Sequence, residues 1–146
     1  MRTVSRWVML LGLLCGTLAT WADEERAYTE GTVVSVGYVK TKPGMFDEYL
    51  RYLAGPYKHL MEEQKKAGTI VDYGVYQAYP RSPHDPDLIL TVTYKNWAAM
   101  DGLRDKLDPL LKKEFGSMDG ASRGAVDREK LRENLGGQFL HELRLK

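Results

Sequence analysis

The chain has 146 residues, with 21 basic and 20 acidic side chains, a formal net charge of +1, 43% hydrophobic residues and 10% aromatic residues. That length is enough for one domain with its own hydrophobic core, and the two signs of charge are interspersed, which argues against the basic groove of a nucleic-acid binder. Cys15 is the only cysteine, so no intrachain disulfide is available and stability must come from packing.

Arg2 and Arg6 precede an uncharged run from Trp7 to Leu18, and Thr20-Trp21-Ala22 leads into Asp23-Glu24-Glu25. This is the pattern of a secretory signal peptide over residues 1–22, with cleavage after Ala22 and a second register after Ala19. The apolar run falls short of the ~20 residues that a spanning helix needs, so it is expected to act as an address and to leave no stable membrane anchor. Cys15 follows Leu14 and has Gly12 three positions back, which is wrong for lipidation, and either cut removes it. The protein is therefore expected in the periplasm or secreted. Residues 23–31 read as a loose acidic lead, and 32–146 as one domain.

From Thr32 to Thr41 the chain alternates Val34, Val36 and Tyr38 against Val33, Gly37 and Val39, the pattern of a first strand that is apolar on both faces. Lys42-Pro43-Gly44 punctuates. Phe46, Tyr49, Leu50, Leu53, Tyr57, Leu60 and Met61 then recur at helical spacing, with a kink expected at Gly55-Pro56 and a stop at Ala67-Gly68. Thr69 to Tyr79 and Asp87 to Lys95 read as antiparallel neighbours joined by a proline-rich turn. Asn96 is suited to cap a second helix carrying Trp97, Met100, Leu103, Leu107, Leu110, Leu111 and Phe115, which Asp108-Pro109 can restart. Gly116 to Gly124 reads as a loop, Val126 to Leu135 as a short helix ended by Gly136-Gly137, and Gln138 to Leu145 as a last strand at an edge or barrel rim.

The order βαββαβ, the stretch Val36-Gly37-Tyr38-Val39-Lys40-Thr41-Lys42-Pro43-Gly44 before helix one, and Tyr94-Lys95-Asn96-Trp97 before helix two resemble the dimeric α+β barrel superfamily over about residues 32–146. The resemblance implies an α+β, ferredoxin-like subunit with a four-stranded antiparallel sheet, and a homodimer in which two sheets face each other as a barrel. Superfamily members include cofactor-free monooxygenases, haem-degrading enzymes and isomerases, so the likeness informs the fold far more than the chemistry. In the haem-degrading pattern Trp97 has a counterpart, but Leu107 stands at the ligating histidine's position and strand one holds no Asn. No haem, other cofactor or metal site is expected.

His59 lies beside the helix-one stripe and reads first as a structural side chain. His84 sits next to Asp85 in the proline loop and reads as solvated polarity ahead of a weak metal site with Asp85 and Asp87. His141 shares a strand face with Phe139 and Leu143, and is with Trp97 the candidate for an acid/base or orienting role. Tyr38, Tyr73, Tyr76, Tyr94, Trp97 and His59 are the candidate ligand-binding residues, since phenols and an indole can line a pocket for a flat apolar molecule; core or dimer interface is the plainer reading. The expectation is an exported homodimer that binds a small hydrophobic or aromatic molecule. The alternative is cofactor-free oxidation or isomerisation of an aromatic or polyketide-like substrate.

Overall fold

β-Branched and aromatic residues alternate along β1 (Tyr28–Thr41), which stands at the centre of the sheet in the computed structural model; the structure describes residues 26–146. The leader expected over residues 1–22 lies outside the described residues. After β1 come α1 (Phe46–Tyr52), a π-helical turn (Leu53–Tyr57), α2 (Lys58–Lys66), β2 (Asp72–Gln77) and β3 (Leu88–Tyr94). A 3-10 turn (Trp97–Met100), α3 (Leu103–Phe115), α4 (Met118–Glu129) and β4 (Arg132–Leu145) complete the chain. The strands form one antiparallel sheet in the order β2-β3-β1-β4, an α+β arrangement consistent with a ferredoxin-like fold.

Register decides which residues enter the core. Val33 pairs with Tyr94 and His141, and Val39 with Leu88 and Asn134, so the two-residue period turns these positions toward the helices. Val33, Met61, Ile70 and Tyr94 form one buried cluster, and Val39, Tyr49, Leu53 and Leu88 a second. Burying each such aliphatic side chain contributes roughly 1.5–3 kcal/mol. The opposite sheet face carries Val34, Val36 and Tyr38, with Ile89 paired to Tyr38, and neither core cluster lies on it.

The expected stripe of helix one packs as written, and the break falls at Gly55-Pro56. Gly55 leaves helical geometry (φ −101°, ψ −107°), and the π-helical turn lets Leu53 and Tyr57 stay on the sheet side although Pro56 cannot donate a backbone hydrogen bond. Asp87 ties the start of β3 to the end of β1: its carboxylate accepts from the Thr41 backbone N–H at 2.9 and 3.1 Å and from the Thr41 hydroxyl.

Several boundaries differ from the sequence reading, each for a local reason. β1 begins at Tyr28, because residues read as a loose lead pair with the end of β4 (Tyr28 with Leu145, Glu30 with Leu143). Asn96 does cap, its Oδ1 accepting from Ala99 N at 3.0 Å, but only a 3-10 turn follows, and Gly102 at φ +62° separates that turn from α3. Pro109 lies inside α3 rather than restarting it. Ser117 caps α4, accepting from Gly120 N at 2.9 Å, so the stretch read as a loop is helical. Gly120 serves the tight turn between α3 and α4, since a Cβ there would stand 2.2 Å from the carbonyl oxygen of Phe115, the last residue of α3. Gly136-Gly137 does not end a helix. Gly136 at φ +91° forms a bulge inside β4, and Gly137 passes so near Val36 that a Cβ would lie 2.3 Å from its carbonyl oxygen. Among the described residues, no helix is long and apolar enough to cross a membrane.

Candidate functional site

Between the sheet and its helices lies a cavity of about 450 Å³, within the usual range for small-molecule sites. Tyr49 and Tyr52 of α1, Tyr57 of the π-helical turn, Leu60 and Met61 of α2, and Leu90 of β3 form one side. Leu111, Phe115, Met118, Ala121, Ser122, Ala125, Arg128 and Arg132 close the other. The helical step brings the Tyr49 and Tyr52 rings into a stack 5.9 Å apart at 15°. Arg132 lays its guanidinium 5.8 Å from the centre of the Tyr49 ring, and Arg128 lies 5.2 Å from that of Tyr52. Arg128 also donates a 3.0 Å hydrogen bond to the Tyr52 hydroxyl. Such cation–π contacts are worth ~0.5–1 kcal/mol when exposed and ~2 when desolvated.

Two polar atoms of this wall are buried without a hydrogen-bond partner: the Tyr57 hydroxyl and Nε of Arg132. A buried, unsatisfied donor costs roughly 1–3 kcal/mol. Burial pushes the Tyr57 phenol well above its ordinary value, reinforced by the neighbouring phenols of Tyr49 and Tyr73, and burial likewise raises Tyr49. Both phenols are therefore neutral at physiological pH and can donate or accept, but they offer no ready base. On the outer side, Arg132 Nη2 lies 3.1 Å from the Glu129 carboxylate.

The sequence-predicted site residues are dispersed. Trp97 and His141 do meet, with ring centres 5.8 Å apart, and Phe139 stands 5.8 Å from Trp97. They border a separate cleft of about 680 Å³ with Glu30, Gly31, Thr32, Lys95, Asn96 and Arg144. This cleft is larger, its lining mixes charged, polar and apolar side chains, and Trp97 remains 47% exposed. Tyr38 lies on the sheet face away from the core clusters, accepting from Gln138 Nε2 at 2.8 Å, and Tyr76 alternates onto that face and is exposed. Tyr94 is a core residue. Tyr73 packs edge-on to Tyr57 and donates to Glu62 at 2.6 Å, a bond that pushes its phenol up to about 12. His59 stands on α2, 3.5 Å from the Glu114 carboxylate on α3.

Among the described residues, no group of three or more His, Cys, Asp or Glu side chains is placed to hold a metal ion. Asp85 accepts from the Arg81 and Ser82 backbone N–H groups and from the Ser82 hydroxyl, each at 2.9 Å, so it organises the proline turn beside His84. No protein-family model matches the chain, and neither a curated protein nor a solved structure matches it.

The cavity's own residues were only half visible in sequence. Tyr49 and Tyr57 read as core-facing stripe, whereas Tyr52, Arg128 and Arg132 gave no site signal. The i, i+3 step from Tyr49 to Tyr52 was the available clue; Arg128 lies on α4 and Arg132 opens β4, so no single helical period links them.

Proposed function

We propose that the protein is an exported, homodimeric small-molecule-binding protein of the dimeric α+β barrel type. Its ligand is hydrophobic or aromatic and lies between the sheet and the helices. The observation that carries this reading is the tyrosine-walled cavity with a buried, unpartnered hydroxyl at Tyr57. Its walls are mainly aliphatic and aromatic, as ligand sites are, with a few polar groups to fix orientation. The half-buried Val34, Tyr38 and Ile89 and the exposed Leu140, which pairs with Val34, support a homodimer closed sheet to sheet over the far sheet face. Export rests on the leader sequence at residues 1–22.

The test is calorimetric titration of the mature protein with a panel of flat aromatic and aliphatic compounds, beside a cavity-filling Ala121→Phe variant. Saturable binding by the parent that the folded variant loses supports the reading; binding unaffected by filling the cavity counts against it.

The alternative, cofactor-free oxidation or isomerisation of an aromatic substrate, is favoured by one observation, the contact between Trp97 and His141 at the edge of an open cleft. Oxygen uptake with quinol- or anthrone-like compounds, lost in His141→Ala, would support it. Equal turnover by parent and variant would remove His141 from the mechanism.

A further inference from the structure

We propose that the ligand of the cavity between sheet and helices carries a carboxylate on its apolar body, and that Arg132 holds it with Arg128 alongside. This assignment rests on the reading of that cavity as a binding site and names the chemistry it selects.

The charge of the lining carries the inference. Arg128 and Arg132 both border the cavity, and no acidic side chain does. Glu129, which is not part of the lining, engages Arg132 only through Nη2 at 3.1 Å. Nε of the same guanidinium is buried and has no partner, and neither has the hydroxyl of Tyr57, another residue of the lining. Arg128 uses Nη1 to donate to Tyr52, which fixes a second cation against the aromatic wall.

An N–H of a guanidinium gives its strongest hydrogen bond to an anionic oxygen, and its planar fork matches a carboxylate. A neutral alcohol or amide supplies an acceptor without the charge, and a cationic ligand would meet two like charges. The stacked Tyr49 and Tyr52 rings offer a flat apolar surface for the rest of the molecule. An aryl or aliphatic monocarboxylate places its charge beside these guanidiniums and its apolar body against that surface.

The experiment titrates the mature protein with three acid–amide pairs of different body: 2-naphthoate and 2-naphthamide, 3-phenylpropanoate and its amide, and octanoate and octanamide. At least one acid is expected to bind about tenfold or more tightly than its amide, a difference of about 1.4 kcal/mol. Arg132→Gln is expected to reduce that preference to less than about twofold, the acid losing far more affinity than the amide. If the variant does not fold, the acid–amide comparison on the parent still decides. Equal binding of acid and amide in every pair overturns the carboxylate assignment and leaves the binding reading intact. Binding of none of the six compounds overturns both.

Discussion

Arg132, at the first residue of β4, lies with its guanidinium 5.8 Å above the ring of Tyr49 on α1, joining residues far apart in sequence across the helix–sheet layer. One of its nitrogens faces Glu129 at the surface, while Nε is enclosed without a partner. A buried donor without a partner costs roughly 1–3 kcal/mol, and Arg132 carries that cost beside the candidate site.

The hydroxyl of Tyr57 tests that logic at a second buried group. Because it is buried and unpartnered, Tyr57→Phe is expected to leave the ligand-free protein as stable as the parent or to stabilise it by up to about 1 kcal/mol. The same variant should bind ligand more weakly. Urea unfolding with and without ligand measures both, and a loss of more than about 1 kcal/mol in the empty protein would mean that the hydroxyl has a structural partner.

Gly120 should be intolerant where helix propensity favours alanine. A Cβ there meets the Phe115 carbonyl oxygen at 2.2 Å, whereas at Gly124 the nearest contact is the Phe115 ring at 3.3 Å. Gly120→Ala is therefore expected to destabilise by ~1–3 kcal/mol, the cost of overpacking, and Gly124→Ala by much less. Thermal denaturation of the two variants side by side checks this; equal melting temperatures would show that the turn between α3 and α4 is not as tight as described.

At the far end of the sheet, the Glu142 carboxylate accepts from Thr32 N at 3.0 Å and from the Thr32 hydroxyl at 3.1 Å, and pairs with Arg144 at 3.0 Å. Arg144 first, then the Thr32 bonds, lower its pKa from 4.5 to about 2. A carboxyl depressed on folding contributes stability above its unfolded value, and that contribution disappears as pH falls from about 4.5 toward about 2. The melting temperature of Glu142→Gln should accordingly lie below the parent's at pH 7 and converge on it near pH 2. A gap that stays constant across that range would mean the carboxylate is not held by Thr32 and Arg144.

Trp97 separates the two candidate sites. It borders the open cleft with His141 and is absent from the lining of the tyrosine cavity. Trp97→Phe is expected to leave ligand affinity within about twofold of the parent, since it removes no cavity contact and distant sites are close to independent. A tenfold loss in calorimetric titration would move the site to the Trp97–His141 cleft.

The α+β class, the antiparallel pairing of β2 with β3 and the edge position of β4 were all legible from alternation and turn chemistry. The helix-one stripe was legible because Phe46 through Met61 keep a helical period across the Gly55-Pro56 break. What failed was the meaning of glycine. Gly116, Gly120, Gly124 and the Gly136-Gly137 pair all read as breakers, yet only Gly116 ends a helix, while Gly120 and Gly137 allow close backbone approaches, Gly124 packs under the Phe115 ring and Gly136 forms a bulge, none of which a single-sequence pattern distinguishes from a loop. The site was obscure for a related reason. Tyrosines on strands drew attention as pocket residues, but Tyr94 is core and Tyr38 and Tyr76 lie on the other sheet face, whereas Arg128 and Arg132 become site residues only once α4 and β4 bring them over α1.

Native mass spectrometry of the mature protein, purified gently from the periplasm of an expression host, tests the central claim most directly. The expected spectrum is a dimer carrying a stoichiometric small-molecule mass on each subunit, lost under denaturing conditions and absent from the Ala121→Phe variant. A monomer with no adduct, unchanged after incubation with the aromatic and aliphatic acids, would contradict both the sheet-to-sheet dimer and the ligand-binding cavity.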